Sequence, residues 1–123
     1  MAKKRKLKPT KEEHSLAISG HVLDRLYDLI NNHKDASPST SNAARLFNRG
    51  APQIAKKVGE EAVETLIEGI AGNEANLVLE SADLLYHLLA LWAVWEIKPR
   101  AVWENIADRE ELSFTFSPSL HER

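Results

Sequence analysis

The chain has 123 residues with a net charge of −2, 43% hydrophobic and 28% charged residues, and no cysteine. This is the composition of one ordinary globular domain. It excludes a disulfide scaffold, a thiolate zinc site and a cysteine nucleophile, and it provides no overall positive field of the kind that gathers nucleic acid.

Residues 1–12 read as a basic flexible tail, because Lys3-Lys4-Arg5-Lys6 leads into more polar residues with no apolar segment behind it. The expectation is a cytoplasmic protein with no nucleic-acid or membrane partner. Residues 13–112 form the folded domain and 113–123 a C-terminal tail. A helical pattern starts at Ser15: Leu16, Leu23, Leu26, Tyr27 and Ile30 recur on one face, and Asn31-Asn32-His33 closes it. Lys34 to Asn42 reads as a loop, after which Ser41 or Asn42 caps a short helical turn through Ala43–Phe47. Asn48-Arg49-Gly50 breaks the chain. Pro52 suits the first turn of a long helix running to Ala71, where Gly72 stops it. Asn73 caps the next helix, which reaches Trp95, and Pro99 opens another that ends near Arg109. The architecture expected is all-α, a packed bundle of about four to five helices.

The segment from Leu77 to Trp95 is long enough to cross a membrane, but it contains Glu80, Asp83 and His87. A carboxylate at mid-membrane costs at least ~2.5 kcal/mol. A helix buried inside a soluble bundle is the expected arrangement.

Acidic residues on two consecutive helices carry the functional reading. In the first, at 100° per residue and with Glu60 at zero, Glu64 falls near ~40°, Lys57 near ~60° and Glu61 near ~100°. The apolar arc of Val58, Ala62, Ala55, Leu66, Ile70 and Val63 lies opposite, and is expected to be the buried side. In the second, Asn76, Glu80, Asp83 and His87 follow 4-3-4 spacing and form one polar stripe among leucines. Carboxylates in so apolar a helix need compensation by cations, protons or a metal. Lys56 and Lys57 are too few for five acids. An oxygen-only ligand set suits Mg²⁺ or Mn²⁺, and magnesium completes its shell with water and phosphate. A solvated Glu-Glu-x-x-Glu face is the bland alternative for the first helix. His87 reads as a hydrogen-bonded core residue rather than a metal ligand.

These residues also resemble a known family. Glu60-Glu61-x-x-Glu64 followed by Glu80-x-x-Asp83 is similar to the signature of the all-α nucleoside triphosphate pyrophosphohydrolases. Ala55–Glu68, Glu80–Leu89 and Ala44–Gly50 together resemble phosphoribosyl-ATP pyrophosphatases. The resemblance covers roughly residues 23–109. It implies a helical homodimer, with active sites near the subunit contact, that hydrolyses phosphoribosyl-ATP to phosphoribosyl-AMP and pyrophosphate with Mg²⁺, the second step of histidine biosynthesis. By position it makes Glu61, Glu64, Glu80 and Asp83 metal ligands and Glu60 a ligand or base, so that all five are catalytic. Arg45, Arg49, Lys56 and Lys57 become phosphate contacts of the substrate. Trp95-Glu96-Ile97 departs from the family pattern, where a glycine often ends the helix. Two other functions fit the same acids: a house-cleaning pyrophosphohydrolase of nucleoside triphosphates, and a non-catalytic helical oligomerisation module.

Overall fold

The computed structural model describes residue 8, residues 10–12 and residues 18–114, with side chains as far as residue 111. Besides the helical residues Lys11 and Glu12, the described residues form five helices and no strands: α1 (Val22–His33), α2 (Asn42–Asn48), α3 (Ala51–Ala71), α4 (Glu74–Val94) and α5 (Pro99–Phe114). The all-α expectation holds.

Short-range chemistry sets most of the boundaries. Ser41 caps α2, its hydroxyl accepting from the Ala44 N–H at 3.2 Å. Gly50, at φ +85°, turns the chain into α3, with Pro52 in that helix's first turn. Gly72 closes α3 in the left-handed conformation (φ +73°), and its N–H bonds to the Glu68 carbonyl. Asn73 then caps α4 by accepting from the Asn76 N–H at 3.1 Å. The two longest helices are therefore joined by only two residues.

Two boundaries differ from expectation. The helix expected to run on from Ser15 is interrupted: residues 18–21 form a turn in which the Ser19 carbonyl takes the Val22 N–H, and α1 begins at Val22. Gly20 sits in that turn, and glycine loses most entropy in a helix. Leu16 lies outside the described residues. The last helix runs past Arg109 to Phe114, since Glu110-Glu111-Leu112 are good helix formers and no glycine or proline intervenes. At the departure from the family pattern the helix does not extend. Glu96 takes φ +56°, and the Ile97 N–H reaches back to the Trp92 carbonyl at 2.9 Å. The chain makes a glycine-type helix stop without a glycine.

The core gathers at one end of the bundle. Tyr27 and Ile30 of α1, Ala43 of α2, Ile54 of α3 and Leu89, Ala90 and Ala93 of α4 are buried together. Trp103 docks α5 onto it, edge-on to Trp92 (centroids 5.8 Å apart) with its indole N–H on Asp24 at 2.7 Å.

Among the described residues the α3–α4 hairpin is the most extensive helix pairing, and it faces the other way from expectation. The stripe of α3 turned toward α4 carries Ile54, Glu61 and Thr65, whereas Val63, Leu66, Ile67 and Ile70 are exposed, Ile70 at 79%. On α4, Val78 and Leu79 are exposed too, and only 17% of the helix's most apolar stretch is buried, although by length and composition it could cross a membrane. The expected burial of this apolar arc is not achieved within one chain. The reason is geometric: a hairpin has one inner face, and the acids occupy it.

Candidate functional site

Inside the hairpin, one turn of α3 and one of α4 meet through carboxylates. Glu61 and Glu64, on adjacent sides of α3, and Glu80 of α4 bring one oxygen each to within 4.8 Å of one another. Oxygens on opposite sides of an octahedral magnesium ion lie roughly 4.2 Å apart, twice the Mg–O distance. The spread is therefore close to what a shared ion needs. Thr65 holds the register at this level. Its hydroxyl lies 2.7 Å from the Glu61 carbonyl and 3.3 Å from the Glu80 carbonyl, so one side chain ties the two acid-bearing turns together.

Glu61 is the deepest member, 5% exposed. One of its oxygens meets Lys57 Nζ at 3.2 Å, while the other is buried with no donor, as is Oε2 of Glu80. Such orphaned carboxylate oxygens are rare and costly, and a cation between them would relieve both. Burial pushes Glu61 upward most strongly. Hydrogen bonds to Lys57 and Glu64, with the charges of Lys57 and His87, outweigh it and hold this carboxyl below the usual range. Glu80 goes the other way: its hydrogen bond to Glu64, burial, and the negative charges of Glu64, Glu61 and Asp83 push it up to about 7. Without a metal, then, Glu80 keeps its proton to near neutral pH. The donor set is hard oxygen only, which fits Mg²⁺ or Mn²⁺.

The remaining residues singled out in the sequence take different places. Asp83 stands outside the group of three but close enough to raise Glu80, and it borders a pocket of about 420 Å³. Glu60 points to the rim, 3.7 Å from Lys57. Lys57 is thus engaged with both acids, and Lys56 is exposed away from the pocket. Arg45 and Arg49 line the pocket together with Asn42, Tyr86 and His87. Arg45 is steadied by the Pro38 carbonyl, which accepts from its Nε at 3.2 Å. His87 Nδ1 lies 2.7 Å from the Asp83 carbonyl. A carbonyl can only accept, so Nδ1 carries the proton, and in the neutral ring Nε2 is left as an acceptor.

Sequence reasoning missed Thr65, Asn42 and Tyr86. A signal existed for Thr65, a lone hydroxyl four residues after Glu61, the distance at which it bonds back to that carbonyl. It existed for Tyr86 as well, three residues beyond Asp83 on the same face. Nothing local announces Asn42, because the loop brings it in.

Comparison with known proteins bears on what such a site does. Residues 23–110 match the model of a family described as phosphoribosyl-ATP pyrophosphohydrolase. A phosphoribosyl-ATP pyrophosphatase of Azospirillum brasilense is 56% identical over 78% of this chain and 86% of its own length. One from Granulibacter bethesdensis is 47% identical over 75% of this chain, which spans 58% of that protein. One from Saccharolobus solfataricus is 36% identical over 76% of this chain and all of its own length.

Proposed function

The chain belongs to the phosphoribosyl-ATP pyrophosphohydrolase family, and on that premise we propose that it hydrolyses phosphoribosyl-ATP to phosphoribosyl-AMP and pyrophosphate, the second step of histidine biosynthesis, at a magnesium site. One observation carries the reading beyond the family: Glu61, Glu64 and Glu80 converge within 4.8 Å with two buried oxygens that no donor satisfies. Solvated surface acids have no reason to do this.

Glu61, Glu64 and Glu80 would hold the ion, with Asp83 closing on it from the pocket side. Bound there, Mg²⁺ neutralises phosphate oxygens and acidifies a water. The chain's own residues supply the rest. Lys57 keeps Glu61 ionised and oriented. Filling the site would displace the proton that Glu80 holds, which makes occupancy depend on pH. Glu60, outside the cluster, would serve as the base that takes a proton from the attacking water. Arg45 and Arg49 receive substrate anion from the neighbouring pocket. Incubation with phosphoribosyl-ATP and Mg²⁺ should release pyrophosphate. Faster release from ordinary nucleoside triphosphates would favour the house-cleaning reading instead.

The exposed apolar arc supports assembly as a homodimer. Val63, Leu66, Ile67 and Ile70 of α3 and Val78, Leu79 and Leu85 of α4 are exposed, and contiguous patches of this kind mark interfaces. Gly59, also on the exposed arc of α3, has nothing near its missing Cβ, so a partner helix can approach closely. Covering the arc with a second copy gives an interface of at least ~2,000 Å² in total, the size of an obligate dimer. Light scattering at micromolar concentration should report twice the chain mass, and a stable monomer would contradict the assembly.

A further inference from the structure

We propose that the arginine pocket binds the single phosphate on the substrate's phosphoribosyl arm, and that this pocket is what distinguishes phosphoribosyl-ATP from ATP. The proposal rests on the substrate assigned above and deepens it. That substrate is anionic in two places, the triphosphate and a monophosphate on the ribose attached to the base. ATP lacks only the second.

The protein has two devices for anions, built differently. The carboxylate cluster repels phosphate and can take it only through a cation. The pocket offers two guanidinium groups and a single carboxylate, Asp83, at its border, so it attracts phosphate directly. Arg45 and Arg49 are four residues apart on one helical turn, where like charges destabilise each other. Among the described residues no acid lies in ion-pair distance of either, and an anion between them would remove that repulsion. Arg45 spends only Nε on Pro38, leaving its terminal nitrogens for a ligand. The other polar walls suit a sugar: Asn42 offers an amide, and His87, its Nδ1 proton tied to Asp83, can accept from a hydroxyl through Nε2. The volume, about 420 Å³, falls within the range of small-molecule pockets, roughly 300–1,000 Å³. Asp83 borders the pocket and also acts on Glu80, so a molecule spanning both devices passes over it. Lys57 cannot serve the second phosphate, being held by Glu60 and Glu61.

The test is calorimetric titration of the full chain, in Mg²⁺, with two probes: ribose 5-phosphate and pyrophosphate. Arg49→Met should weaken ribose 5-phosphate binding about 10- to 100-fold, the loss expected for charge-assisted hydrogen bonds, and move pyrophosphate less than about threefold. Arg49→Lys, which keeps the charge but loses the fork, should fall between parent and Arg49→Met. Both arginines are exposed, so the fold should survive, and Arg45→Met repeats the test at the second guanidinium. The idea is overturned if pyrophosphate weakens as much as ribose 5-phosphate, since the arginines would then hold the triphosphate. It is equally overturned if neither probe responds. Because these titrations involve no turnover, a parent that fails to hydrolyse phosphoribosyl-ATP would sink the assigned reaction and leave the pocket standing.

Discussion

The two halves of α4 are built on opposite rules. From Leu89 to Ala93 the helix is buried against Tyr27, Ile30 and Ile54, the usual arrangement of apolar inside and polar outside. From Glu74 to Leu85 it turns Glu80 toward the acids of α3 and presents Val78 and Leu79 to the outside. One half stabilises the fold, whereas the other uses that stability to hold like charges together. Proteins commonly place their destabilising groups where chemistry happens, and here the division falls within a single helix.

The sharpest way to break this comparison is to injure each half and read both stability and magnesium response. Ile54→Ala empties a fully buried site and should lower unfolding free energy by about 2–5 kcal/mol, while the melting-temperature gain from saturating Mg²⁺ persists. Glu80→Gln should do the reverse. Metal-free, it should melt at or above the parent near pH 8, because one repelling charge has gone. It should lose most of the stabilisation, ~2.7 kcal/mol at one hundred times the dissociation constant, that Mg²⁺ gives the parent, and turnover should drop at least ~10²-fold. If Glu80→Gln keeps the parent's Mg²⁺ response, the acids are not a metal site.

Acidity sharpens the same contrast at a smaller scale. Glu80 is raised from its ordinary 4.5 to about 7, so the folded state holds a proton that the unfolded chain has released. Its contribution to stability is full below 4.5 and disappears as pH climbs through 7. Glu61, lowered, contributes stability that fades only as pH falls below its ordinary range, so the two windows do not overlap. Metal-free parent should therefore melt lower at pH 8 than at pH 5.5, and Glu80→Gln should flatten that slope. Magnesium affinity should follow the opposite course, rising from pH 6 to pH 8 with proton release on binding. Equal affinity at both values would contradict the raised Glu80.

The smallest effect belongs to the buried half's own stop signal. Glu96 sits at φ +56°, where a side chain costs on the order of 1 kcal/mol. Glu96→Gly should raise the melting point by a few degrees at most and leave Mg²⁺ binding untouched. A lower melting point would mean that the Glu96 side chain contributes more than its backbone strain removes.

Much of this was legible in the sequence, for identifiable reasons. Gly72-Asn73 announces the hairpin joint because glycine suits a left-handed helix stop and asparagine a helix cap, and the 60/61/64 and 80/83 spacings place carboxylates on matched turns. The direction of the inner face was not legible. Val63, Leu66 and Ile70 mark an arc that must be covered, but periodicity does not say by what, and the single chain leaves it open. The turn at residues 18–21 was not legible either, because Leu16 and Leu23 share a face across Gly20 and periodicity does not register a break between them. The arginine pocket depends on a loop whose Pro38 carbonyl reaches Arg45 seven residues away, a contact that no helical period encodes.

The two-residue joint between α3 and α4 has a kinetic consequence. Glu61 and Asp83 are 22 positions apart in the chain, with nearly all the intervening residues helical, so little loop-closure entropy opposes their meeting. Contacts this local form early, on the timescale of helix pairing rather than of long-range assembly. The core at the other end must wait for α1, which is far away in sequence. During folding, the acid-bearing turns are therefore in register before the part of the molecule that makes them stable, and a divalent ion bound at that moment would act as a template for the hairpin.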